Sequence, residues 1–190
     1  MRHFPFLSDV APPPRPGNAA RARLGLSRWL DAVTGLEDAG AEKAADEMAG
    51  SKEGRAILEA VFGNSPFLTQ CAVIDPVFFA RLLAVGPESA LADIDDDLRR
   101  CLAGDGTEPL GALLRAAKRR ASLAIGLADI FDLWPVEKVM GALSAFAELT
   151  VTSASNHLLG VQVRAGAIDL PALGEPARGS ARSIEGYHIT

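Results

Sequence analysis

Two aspartates, Asp93 and Asp95, stand one residue apart in Ala92-Asp93-Ile94-Asp95-Asp96-Asp97. On a β-strand, side chains alternate faces, so an Asp-x-Asp pair turns two carboxylates the same way. Such a pair can hold Mg²⁺ for phosphoryl or nucleotidyl transfer. The surrounding Leu91, Ile94, Leu98 and Leu102 instead recur at helical steps. At about 3.6 residues per turn, the two carboxylates point about 200° apart and cannot share one ion. The expected role is therefore a solvated acidic face.

A second cluster is basic. Arg115, Lys118 and Arg119 share a helical face with Ser122, Gly126 and Asp129. Such a strip can meet a phosphate or an acidic partner. It can equally be an exposed flank with ordinary surface ion pairs. Asp129 has apolar neighbours in Ile125, Leu127, Ala128 and Ile130. It is expected to be a buried polar anchor between helices, paired or hydrogen-bonded. His157 has no second ligand nearby, and Cys71 and Cys101 fit no metal spacing. The residues alone compose no Ser/His/Asp arrangement and no phosphate-cradling glycine loop. No catalytic, cofactor-binding or metal-binding residue is assigned from them.

The elements that would position these residues centre on Pro109–Leu159. Leu110, Leu114, Ala117, Ala121, Ala124, Ala128 and Phe131 repeat at three- and four-residue steps and predict one long helix. From Leu123 to Trp134 the helix is apolar nearly all round, which predicts burial on every side. Trp134-Pro135 marks a break, since proline lacks an amide hydrogen and suits a first helical position. A second long helix follows, with Val136, Val139, Met140, Leu143, Phe146 and Ala147 as its apolar face packed on the first.

Shorter helices are expected upstream at Ser27–Leu36, Ala41–Met48 and Glu53–Phe62. Ser65-Pro66 and Asp75-Pro76 each read as a cap followed by a first-position proline. They open two consecutive helices ending at Gly86-Pro87, and Glu88–Leu102 forms another. Three domains are expected: a proline-rich lead at 1–20, extended and docked late or not at all; a helical bundle at 21–164; and a segment at 165–190. That last segment is a Gly/Pro/Ala-rich linker, with a strand beginning in Ser183–Thr190. The fold class is all-α, a multi-helix bundle whose C-terminal segment would enter a mixed sheet in a longer protein.

The chain has 190 residues, 48% hydrophobic, enough for a sizeable core. A net charge of -5 leaves no nucleic-acid footprint. No apolar run approaches the roughly 20 residues that span a bilayer. The simple expectation is a reduced, cytoplasmic protein.

Three stretches carry a resemblance: GNSPFLTQCAVIDPVFFARLL, LLRAAKRRASLAIGLADIFDLWPVEKV and GALSAFAELTVTSASNHLL. Together they resemble the bifunctional glutamine-synthetase adenylyltransferase/deadenylase family over Gly63–Leu159. The resemblance implies a nucleotidyltransferase that adds AMP to a tyrosine of glutamine synthetase and removes it again, regulating nitrogen assimilation. Mg²⁺ and ATP are the implied cofactors of the full-length family, and none is expected on this chain alone. Glutamine synthetase and a PII-type signalling protein are the implied partners.

The family's catalytic apparatus is a Gly-Lys-Leu-Gly segment followed by Ser-Asp-x-Asp on a strand. It is expected beyond Thr190, so no catalytic position is carried over. The chain resembles the helical N-terminal part of the deadenylylating half. Its implied role is to brace the catalytic sheet and present Arg115, Lys118 and Arg119 to it. The rival expectation is a free-standing, non-catalytic helical module that binds glutamine synthetase or a PII-type regulator.

Overall fold

A computed structural model of the chain describes residues 12–36, 39–103 and 110–168. Eight α-helices and no strand occur among them: α1 (Ala19–Thr34), α2 (Ala39–Gly50), α3 (Lys52–Asn64), α4 (Pro66–Ile74), α5 (Pro76–Val85), α6 (Pro87–Ala103), α7 (Leu110–Ile130) and α8 (Val136–Arg164). The all-helical class expected from the periodicity is what the chain adopts. The expected strand at Ser183–Thr190 lies outside the described residues, as does most of the lead.

The punctuation works as local chemistry requires. Asn18 caps α1 by accepting the amide of Arg21, and Ser51 caps α3 through Gly54. Ser65 accepts the amide of Leu68 to open α4, and Asp75 accepts that of Phe78 to open α5. Each satisfies an amide that the first helical turn leaves without a partner. Gly86 ends α5 at φ 86°, a left-handed conformation suited to glycine, and its amide bonds to Leu82.

Two local expectations are corrected. The first helix begins at Ala19, eight residues before Ser27, because Asn18 supplies a cap there. The described end of the lead is also docked. The Gly17 amide donates to Asn64 Oδ1 at 2.8 Å, and Asn64 Nδ2 donates to the Arg15 carbonyl at 3.2 Å. Pro16 lies so close to Gly63 that a Cβ there would sit 2.3 Å from the proline ring.

The core is built by α1 to α7. Trp29, Phe62 and Phe79 form an aromatic triangle with centroids 5.7 to 6.4 Å apart, in tilted and edge-on geometry. Ile57, Leu58, Leu82, Leu83, Leu98 and Leu127 close around it. In the C-terminal half of α7, Leu123, Ala124, Ile125, Leu127 and Ala128 are all buried, as a helix apolar on every side requires.

The corner after α7 differs from the expected proline break. Helix α7 stops before the proline, at a reversal centred on Asp132 (φ 52°). The Leu133 amide donates to the Ala128 carbonyl at 2.8 Å and the Asp132 amide to Asp129 at 3.1 Å. This is a Schellman closure with aspartate in the left-handed position, which short polar side chains tolerate. Pro135 then occupies the cap position before α8, one residue earlier than the first-turn place expected.

Helix α8 departs most from expectation. Of its expected apolar face, Val139 is buried and Phe146 half-buried, but Val136 and Met140 are each 61% exposed and Leu143 is 50% exposed. Val151 and Leu158 continue the uncovered stripe. Among the described residues only one side of this long helix has a neighbour, so a pattern that signals burial finds no second wall there.

Candidate functional site

The aspartate pair lies on α6, as its helical context requires. Asp93 accepts a bond from Arg81 of α5 at 2.5 Å, and Asp95 one from Arg99 at 2.8 Å. Asp97 pairs with Arg100. The carboxylates are thus divided among separate arginines. No group of three or more His, Cys, Asp or Glu side chains able to hold a metal occurs among the described residues.

Asp129 is corrected. It is exposed, on the outer side of the last turn of α7. Its apolar neighbours in sequence point inward, and the polar stripe on which it lies carries it to solvent. The polar link between helices on α7 is instead the half-buried Arg120. Its Nε donates to Asp75 Oδ2 at 2.7 Å, and its guanidinium lies 5.3 Å from the centroid of Phe78. A residue adjacent to the basic strip joins α7 to the α4–α5 junction, 45 residues away in the chain. Helical periodicity puts Arg120 off the strip, but only the fold brings Asp75 to it.

Arg115 and Lys118 are exposed, and Arg119 is half-buried with its Nε enclosed and unbonded. Arg115 and Lys118 rim a groove of about 480 Å³ between α7 and α8. Leu114, Ile125, Leu143 and Phe146 supply most of its apolar lining. Neither cation has a carboxylate partner among the described residues, whereas Arg81, Arg99, Arg100 and Lys138 all do. Arg119 is not part of this lining. Burial pushes the pKa of the Cys71 thiol up, and the charges of Arg119 and Lys118 partly oppose that.

On the other side of α8, a groove of about 580 Å³ runs along α6. Leu91, Trp134, Ala142 and Leu149 line it, and the Glu88–Lys138 ion pair stands at its edge. Lys138 lies 4.6 Å from the Trp134 ring centroid. His157 is exposed on α8. No single helix among the described residues is long and apolar enough to cross a membrane.

The assembled features are contact surfaces: a long, half-covered helix flanked by two apolar grooves, one with a basic rim. Comparison with known proteins places the chain in a family. The sequence profile described as Glutamate-ammonia ligase adenylyltransferase matches residues 56–178, more than half of the chain. Three relatives are named bifunctional glutamine synthetase adenylyltransferase/adenylyl-removing enzyme. The protein of Rhodopseudomonas palustris (strain TIE-1) is 35% identical over 65% of this chain and 12% of its own length. That of Bradyrhizobium sp. (strain ORS 278) is 35% identical over 70% of this chain and 13% of its own. That of Rhizobium meliloti (strain 1021) is 31% identical over 76% of this chain and 15% of its own. The match thus spans about an eighth of the length of the first two relatives. No solved structure matches at the same stringency. The described part of the matched region is the helical core from α3 onward with α7 and α8, and the chain belongs to the glutamate-ammonia ligase adenylyltransferase family.

Proposed function

We propose that this chain is the helical brace of an enzyme that adds AMP to glutamine synthetase and removes it, with the transfer chemistry carried out by residues outside these 190. The observation that carries this reading is the outer face of α8. Val136, Met140, Leu143, Val151 and Leu158 stand between 50% and 66% exposed in one stripe. Contiguous exposed apolar surface marks a site of protein contact. The paired carboxylates of α6 are turned apart and held by arginines, which supports assigning Mg²⁺ and ATP to another part of the enzyme. In this reading the bundle at 21–164 holds the catalytic domain through α8, and 165–190 connects the two. Arg115 and Lys118 lie beside that surface, and Arg119 is half-buried next to them on α7. Glutamine synthetase and a PII-type regulator are the partners of the assembled enzyme in the cytoplasm.

The test is transfer of labelled AMP from ATP to glutamine synthetase, and its phosphorolytic removal. The 190-residue chain alone is expected to do neither. A full-length relative with glutamate at the positions matching Met140 and Leu158 is expected to lose at least about tenfold in adenylyl removal, since small misplacements at a reacting centre are costly. Transfer by the chain alone, or full removal activity in that variant, would overturn the reading.

A further inference from the structure

We infer that the α7–α8 groove is a docking site for an amphipathic helix of a partner protein that carries carboxylates along one edge. The inference rests on the reading of α8 as a contact surface: Leu143 stands where the outer stripe meets the groove, and the groove side takes a second occupant, distinct from the catalytic domain on the outer face. Three observations carry it.

The groove is apolar within, through Leu114, Ile125, Leu143 and Phe146. An amphipathic helix lays an apolar face into such a groove through anchors at about i, i+3, i+4 and i+7.

The rim has one sign of charge. Arg115 and Lys118 are three residues apart on α7 and both exposed, so one partner edge can reach both. No acidic side chain is among the residues lining this groove.

The two cations are also unpaired among the described residues. Arg23, Arg28, Lys52 and Arg164 are likewise without an ion pair among the described residues, and Arg115 and Lys118 differ from them in rimming an apolar groove together. The α6–α8 groove, by contrast, has both signs among its lining residues: Glu88, Asp95, Arg99 and Lys138. Charge complementarity therefore favours an acidic occupant at α7–α8 and gives no such preference at α6–α8. A free phosphate would satisfy the rim but leave the apolar lining uncovered, which favours a helix over a small anion.

The experiment uses the full 190-residue chain and two fluorescent helix-forming peptides. They share leucine anchors at helical spacing; one has glutamate along the edge and the other lysine. Anisotropy is expected to give at least about tenfold tighter binding of the glutamate peptide, weakening with salt, as screened charge pairs do. The double variant R115E/K118E, at exposed positions, should keep the native circular dichroism and reverse the preference. Leu143→Glu should weaken both peptides. Equal binding of the two peptides, or no binding of either, would overturn the inference. So would displacement of the glutamate peptide by millimolar inorganic phosphate, or occupation of the groove by a second copy of the chain detected by sedimentation. None of these outcomes depends on AMP transfer, so failure here is distinct from failure of the bracing reading.

Discussion

Asp75 holds two helices at once: Oδ1 accepts the Phe78 amide at 3.3 Å to cap α5, and Oδ2 accepts Arg120 Nε of α7 at 2.7 Å. A residue legible as a helix cap thus also fixes the angle at which the α4–α5 corner meets the central helix. Asp75→Ala is expected to cost about 1–2 kcal/mol, mostly through the lost cap. Arg120→Met should cost less, because the arginine side chain is 38% exposed and solvent screens the pair. Urea denaturation of both single variants and the double variant checks this. A coupling above about 1 kcal/mol would mean that the ion pair outweighs the cap.

The C-terminal end of α7, with the residue that follows it, is predicted to be intolerant of truncation. Leu127 is 1% exposed and Phe131 3%. Replacing either with alanine is expected to cost roughly 2–5 kcal/mol, from lost transfer energy plus the cavity left behind. Thermal or urea unfolding measures it, and unchanged stability would remove α7 from the core.

Two glycines are expected to respond in opposite directions to alanine. At Gly25 a new Cβ would lie 2.8 Å from Phe62 Cβ and 3.0 Å from Thr69, where α1 approaches α3 and α4 closely. The Phe62 atom lies next to the backbone and cannot swing away, so Gly25→Ala should cost about 1–3 kcal/mol. At Gly141, on α8, nothing lies within 4 Å of the added atom. Gly141→Ala should stabilise by about 0.5–1 kcal/mol through helix propensity. Denaturant midpoints of the two variants decide it.

Cys71 gives the chain a pH dependence. It is 2% exposed, and burial pushes its pKa above the ordinary thiol value, partly opposed by Arg119 and Lys118. The folded state therefore holds the proton more tightly than the unfolded state. Stability is fully present below the ordinary thiol range and falls as pH rises through and beyond it. Urea titrations at increasing alkaline pH should show this loss, and Cys71→Ala should flatten it. In a Cys101→Ser background, a thiol reagent should modify Cys71 slowly in the native state and rapidly in denaturant.

The sequence by itself determined which segments are helices and where most of them stop. Ser65-Pro66, Asp75-Pro76 and Gly86-Pro87 are local signals: a side-chain oxygen within reach of a free amide, a ring that fixes φ, a backbone with no Cβ. Such signals act over three or four residues and need no tertiary partner. The burial of Leu123–Ala128 was legible for a related reason, since apolar residues on every face leave no side for water. The family resemblance rested on the same helices, and the profile match bears it out.

Tertiary structure alone decided what each face meets. Asp129 has apolar neighbours in sequence, yet consecutive helical residues point about 100° apart, and its own direction is outward. Helix α8 has a full apolar stripe, but periodicity records only that a face is suited to burial. Whether a wall stands opposite depends on residues far away in the chain, and along much of α8 the described residues supply none. The same holds for the basic strip. Spacing put Arg115, Lys118 and Arg119 together, but in the fold only Arg115 and Lys118 rim the α7–α8 groove, and Arg119 is half-buried outside it. Sequence sets which contacts a helix can make, and the burial of its neighbours decides which it does.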